Sequence, residues 1–354
     1  MAFKVQLFKC AGIGTRAWLG RGEACPYLCV QIGANKRIVV RLKQINFCMR
    51  RAWLALTLFI CVPTWMLAQP RLAATVQPQP LGRSYFQLES VFLDGSDEFA
   101  EDGFRRPLFS GERLSDGKFS ERIINLHYEY GVAERLTVVA RLGYRFIRFT
   151  YIDNLNPRLL PNERLFRVEV NGFDDSWLAA RYALLYTGFK DEGVNVSAQL
   201  GVKFPTGDVT LRVPTGTGYL DFELRALIDS RHKISNIPSY WILDAGYRVR
   251  GGEFGDQVPF RVEFGVAAAK ELMLRASLNG VITLGEFQSP VGIIENFQRD
   301  RPIRLVGDES YLQLAIGFEL FFSPTISAYL DYNNRAFGRT SISSNIVQFG
   351  FIVR

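Results

Sequence analysis

The run Val194–Phe204, VNVSAQLGVKF, constrains the chain more than any other stretch. Val194, Val196, Ala198, Leu200, Val202 and Phe204 are apolar, and the residues between them are polar or small. Side chains change sides at every residue of a strand, so strict alternation means one apolar face and one wet face. Its length matches the roughly 9–11 residues that a tilted strand needs to cross a bilayer. A soluble sandwich accommodates one such strand equally well, so the rest of the chain must decide.

The pattern recurs. Runs of the same kind occupy residues 86–92, 124–130, 136–146, 178–184, 220–228, 241–249, 260–266, 272–278, 312–320, 326–332 and 347–353. With the first run this makes about twelve strands, an even number as in single-chain outer-membrane barrels. The connections alternate between short and mostly long. Gly131–Glu134, Thr187–Gly193, Ser230–Pro238, Ala269–Glu271 and Phe321–Pro324 are short, whereas Leu93–Lys118, Thr150–Phe173 and Gly285–Glu309 are long. Short periplasmic turns and long outer loops are the two rims of a transmembrane barrel. In hydrocarbon every backbone N–H and C=O needs a partner within the protein, so a spanning sheet must close on itself. Aromatics such as Tyr128, Tyr130, Trp177, Tyr219 and Trp241 gather near run ends, as interfacial girdles require. The expected fold is therefore an all-β, antiparallel, up-and-down transmembrane β-barrel over 83–354.

The formal charge of +7 belongs to the N-terminal part. Residues 1–68 hold ten Lys/Arg and one acid, Glu23, which leaves 32 bases and 34 acids in 69–354. Basicity is thus no argument for nucleic-acid binding. All five cysteines also precede residue 69. Cys25 and Cys29 lack a second ligand pair, and no metal or cofactor is expected. A cysteine-free remainder suits a chain that crosses the oxidising periplasm unfolded. Met49-Arg50-Arg51 followed by AWLALTLFICV reads as a secretory signal over 49–68, with cleavage after Ala68 or Ala74. Residues 1–48 lack clear periodicity and precede a complete signal, so they are expected to be untranslated or unstructured. Residues 69–82, with Pro70, Pro78 and Pro80, read as a flexible periplasmic lead-in.

On this register the inward face carries Glu89, Glu129, Asp221, Glu223, Asp244, Glu263, Glu319 and Asp331 opposite Arg141, Arg145, Arg181, Lys203, Arg225, Arg248, Arg261 and Arg275. Eight against eight supports no strong preference for anions or cations. These residues are lumen-lining candidates on one reading, a water-filled path. On the other they are ion pairs that fill the interior. Twelve strands lie between the filled eight-strand barrels and the open sixteen-strand porins. Inward glycines at 143, 201, 246, 265, 317 and 350 point towards open space. Outside the barrel, the acidic stretch Asp94–Asp102 misses the calcium-loop spacing and reads as solvated. Arg299, Arg301 and Arg304 are candidates for lipopolysaccharide phosphates, although an ordinary solvated loop fits equally well.

Lys203-Phe-Pro-Thr-Gly-Asp208, the second Pro214-Thr-Gly-Thr-Gly218 and Asp221 resemble the outer-membrane transporters grouped as the "MetA-pathway of phenol degradation" family. Tyr130–Leu136 is similar to that family's first periplasmic turn, and Asp174–Tyr182 to its following strand. The resemblance covers most of 84–354 and implies a barrel passing small, often aromatic or apolar, compounds. It supplies no catalytic residues. One departure from barrels in general is the last residue, Arg354, where an aromatic is usual.

The expectation is thus a non-enzymatic, porin-like transporter in the outer membrane of a Gram-negative bacterium, with lipids, lipopolysaccharide and a small solute as partners. A structural barrel with a side-chain-plugged lumen is the alternative. A membrane-embedded lipid hydrolase is less favoured. The mature chain has only His127, expected in the lumen, and His232, expected in a short turn, and G-x-S-x-G is absent. Lipid-facing and subunit-facing apolar residues read alike, so no oligomeric state is assigned.

Overall fold

The computed structural model describes residues 27–32, 36–41, 76–109, 114–154, 163–187, 192–211, 213–252, 254–285 and 308–354. The chain divides into two units, Met1–Trp65 and Met66–Arg354. In the first, strands β1 (Tyr27–Ile32) and β2 (Lys36–Arg41) form an antiparallel hairpin, within the segment expected to lack structure. The signal and both cleavage positions lie outside the described residues.

The second unit contains β3 (Ser84–Phe99), β4 (Arg105–Pro107), β5 (Leu114–Ala133), β6 (Leu136–Asn154), β7 (Glu163–Phe173), β8 (Ser176–Leu185) and β9 (Gly193–Phe204). It continues with β10 (Asp221–Ile234), β11 (Ile237–Val249), β12 (Gln257–Ala269), β13 (Leu272–Thr283), β14 (Ser310–Phe321), β15 (Ile326–Arg339) and β16 (Ser341–Val353). Twelve of these pair antiparallel in sequence order, from β3 through β5, β6 and β8 on to β16, and β16 pairs back onto β3. The sheet is a closed twelve-strand barrel. β4 pairs only the end of β3, and β7 only the far half of β6.

The two faces of this sheet are inverted relative to a water-soluble protein. Leu200, Leu224 and Ile316 are 60%, 60% and 66% exposed on the outside, whereas Glu129 and Asp221 are almost fully buried. Charge inside and aliphatic side chains outside is the distribution that a hydrocarbon solvent demands. Closure also leaves no sheet edge to satisfy.

Three features depart from the sequence expectation. The turn expected over Ser230–Pro238 shrinks to Ser235 and Asn236, with φ of 49° and 69°. Left-handed conformation at both central residues is the two-residue hairpin turn whose twist matches the flanking strands. His232 therefore lies within β10, opposite Ser239, and not in a turn. Parts of the long loops Leu93–Lys118 and Thr150–Phe173 are strand, because β3, β5 and β6 continue past the other strands and β4 and β7 pair onto them. These extensions bury an apolar cluster including Leu93, Leu108, Phe109, Phe119, Phe149, Tyr151 and Val168. The inward glycines are largely contact points for neighbouring side chains and not open space. A Cβ on Gly265 would collide with the Tyr240 ring, and one on Gly317 with the Asp331 carboxylate.

Candidate functional site: the barrel lumen

The inward charges other than Arg141 are buried or half-buried and mostly paired. Arg181 donates to Glu129 at 2.8 Å, and His127 Nε2 lies 3.0 Å from the same carboxylate. Arg145 meets Glu121 at 2.5 Å and Asp174 at 3.7 Å. Arg225 reaches Asp244 at 2.9 Å, while Arg248 donates to Glu223 at 2.7 Å and to Gln257 at 2.9 Å. Arg261 pairs with Glu263, which also accepts from the Tyr240 hydroxyl at 2.8 Å. Arg275 and Asp331 form a two-pronged pair at 2.6 and 2.9 Å. Arg354 closes on Glu319 at 2.6 Å and so joins the same network. Ions this far from water persist only with close partners that replace hydration.

Arg141 differs. It lies on the same face of β6 as Thr137 and Arg145 but is exposed, and no carboxylate reaches it among the described residues. Its neighbours in register are His127 on β5 and Trp177 on β8. Among the described residues no cation reaches Glu89: it accepts from Tyr329 at 2.6 Å, from Asn125 at 2.9 Å, from Gln87 at 3.3 Å and from Gln348. Beside Glu89, a cavity of about 310 Å³ is lined by Tyr85, Arg261, Glu263, Arg275 and Tyr329 among others.

Two chain segments enter this interior. Val76, Gln77 and Gln79 are buried at the short-turn end. The Gln79 amide N–H donates to Thr137 Oγ1 at 2.8 Å and its side chain to Glu129 at 2.7 Å. Ser197 Oγ donates to the Val76 carbonyl at 2.7 Å, and Val76 packs with Leu227, Tyr240, Ile242 and Met273. The lead-in reading missed this because Gln-Pro-Gln-Pro carries no periodicity. The only available signal was a Gln pair next to a lumen rich in charge.

The second segment is the doubled Pro-Thr-Gly loop between β9 and β10. Asp175 Oδ1 accepts from the Gly207 N–H at 3.1 Å, and Oδ2 from the Thr217 N–H at 2.9 Å. Lys203 Nζ bridges Asp175 at 3.0 Å and Asp221 at 2.8 Å, and also donates to Thr217. The loop's two halves lock together: Asp208 N–H donates to Thr215 Oγ1 at 2.9 Å, and Thr215 N–H to the Asp208 carbonyl at 3.1 Å. The Thr210 hydroxyl and N–H hold the exposed Asp208 carboxyl below its ordinary pKa. Thr215 and Val213 are fully buried as a result. Sequence reading assigned Lys203 and Asp221 to the lumen and overlooked Asp175, which precedes its strand by one residue.

The acidic outer stretch is partly neutralised, with Arg105 on Asp97 at 2.6 Å and Arg106 on Asp102. Arg299, Arg301 and Arg304 lie outside the described residues. No group of His, Cys, Asp and Glu suited to a metal occurs among the described residues.

These features define a twelve-strand antiparallel barrel of the bacterial outer-membrane type. Among solved structures it is similar to the COG4313 outer membrane channel from Pseudomonas putida F1, at a TM-score of 0.53 and 14% identity. The match covers 79% of this chain and 98% of that chain. At such low identity the likeness shows the fold alone. The NanC porin (TM-score 0.40, 9% identity, 76% of this chain and 99% of that one) and the CymD monoaromatic hydrocarbon channel (0.36, 11%, 78% and 89%) match too loosely to add to it. No protein-family model matches the chain, and no curated protein matches it in sequence.

Proposed function

We propose that this protein is a channel of the bacterial outer membrane for small solutes, with its short turns in the periplasm and its long loops outside. The observation that carries the reading is the unfilled polar space of about 310 Å³ inside a closed barrel whose outer face is apolar. A barrel serving only as an anchor has no need of a hydrated interior. The candidates Glu129, Arg141, Arg145, Arg181, Lys203, Asp221, Glu223, Arg225, Asp244, Arg248, Arg261, Glu263, Arg275, Glu319 and Asp331 then form its wall. Most of them hold the wall together by pairing, and Arg141 and the Glu89 cavity face the solute. The family resemblance supports a small aromatic or apolar cargo. Reconstituted protein should make proteoliposomes permeable to solutes of a few hundred daltons.

A plugged structural barrel is the second reading, favoured by the buried stretch Val76–Gln79 at the head of the segment Val76–Leu81 and by the density of ion pairs. It predicts the absence of both current and swelling in the intact protein and in one lacking that segment.

A further inference from the structure

Of the eight inward cations expected from the sequence, seven reach a carboxylate among the described residues, and Arg141 does not. It is also the exposed one on a face whose other members are buried or half-buried. An unpaired guanidinium that faces the lumen offers its full positive charge to an anion, with the attraction of a near-surface pair. A guanidinium also presents a planar fork matched to a carboxylate.

The surroundings of Arg141 are aromatic. Trp177 is its register partner on one side and His127 on the other, so both rings project from the same face. Arg248, itself paired with Glu223, lies over the Trp177 ring at 4.6 Å and fixes the indole.

We propose that Arg141, Trp177 and Arg248 form a lumen site for a small aromatic carboxylate. The carboxylate pairs with Arg141, and the ring lies against Trp177 and the flanking His127. The proposal specifies the cargo of the channel reading, and its role in transport rests on that reading.

The test is calorimetric titration of the purified, detergent-solubilised full chain with benzoate, benzamide and acetate. Benzoate should bind about tenfold or more tighter than benzamide, the worth of one charge-assisted hydrogen bond. It should exceed acetate by a similar factor of about ten through ring contact. Arg141→Gln should remove the preference for benzoate over benzamide, and Trp177→Ala the preference over acetate. Equal affinity for benzoate and benzamide in the unaltered protein overturns the proposal whether or not the variants fold, and so does an Arg141→Gln protein that keeps the preference. Binding here needs no permeation. Benzoate binding without current leaves the site and removes the channel reading, whereas current without benzoate binding does the reverse.

Discussion

Lys203 Nζ lies 3.0 Å from the Asp175 carboxylate, and this pair ties the outer loop to the barrel wall. The two side chains are 6% and 4% exposed, and Asp175 spends its remaining lone pairs on the Gly207 and Thr217 N–H groups. One acid therefore holds one cation and both halves of the doubled Pro-Thr-Gly motif.

Asp175→Asn should release that loop. The amide keeps the size but loses the charge that holds Lys203, and a broken buried pair costs about 3–5 kcal/mol. Gly216→Ala should act in the same direction, because its Cβ would collide with Asp175 Oδ1. Limited proteolysis checks this: cleavage within 205–220 should accelerate in both variants, and unchanged resistance would refute the anchoring role.

Arg181→Ala should destabilise the barrel by about 3–5 kcal/mol, because it leaves Glu129 buried and ionised without its cation. Adding Glu129→Gln to it should recover most of that loss. The measurement is the denaturant midpoint of the folded band on gels run without boiling. Arg141→Ala, with no pair to break among the described residues, should change the stability read from that midpoint by no more than about 0.5 kcal/mol.

Leu200→Arg should cost about 2–4 kcal/mol in a bilayer, because Leu200, the eighth of the twelve residues of β9, projects from the outer face beside its cross-strand neighbour Leu224. The inward Gln199, partner of Arg225 in the same register, should tolerate Gln199→Ala far better. Refolding yields into vesicles compare the two. Similar losses for both would contradict the assignment of faces.

Removing Val76–Leu81 should enlarge the lumen at the short-turn end, because it withdraws the Gln79 contacts to Thr137 and Glu129 and the Val76 contact to Ser197. Unitary conductance should rise at least twofold in planar bilayers. An unchanged conductance would mean that this segment lies off the conducting path.

The barrel itself was legible because membrane strands carry a two-residue period over their full span. Runs such as Val194–Phe204 and Leu312–Leu320 state their faces outright, and the twelve expected runs fall on the twelve barrel strands, with only Leu220 one residue outside its strand. The inward charges were legible for the same reason. Their pairing was not, since Arg181 finds Glu129 two strands away and Arg275 finds Asp331 across β14. Such contacts depend on barrel curvature and side-chain reach, which alternation does not encode. The sequence also hid Val76–Leu81, which enters the lumen through backbone and amide hydrogen bonds and not through an apolar pattern. The inward glycines misled for a related reason: space freed at Gly265 is filled by Tyr240 from the neighbouring strand.

The most direct test of the channel itself is the current through single molecules of the purified protein in a planar bilayer. Discrete, reproducible conductance steps are expected, enlarged on removal of Val76–Leu81 and reduced by benzoate when Arg141 is intact. A bilayer that stays silent with correctly folded, heat-modifiable protein, with and without that segment, would contradict the channel.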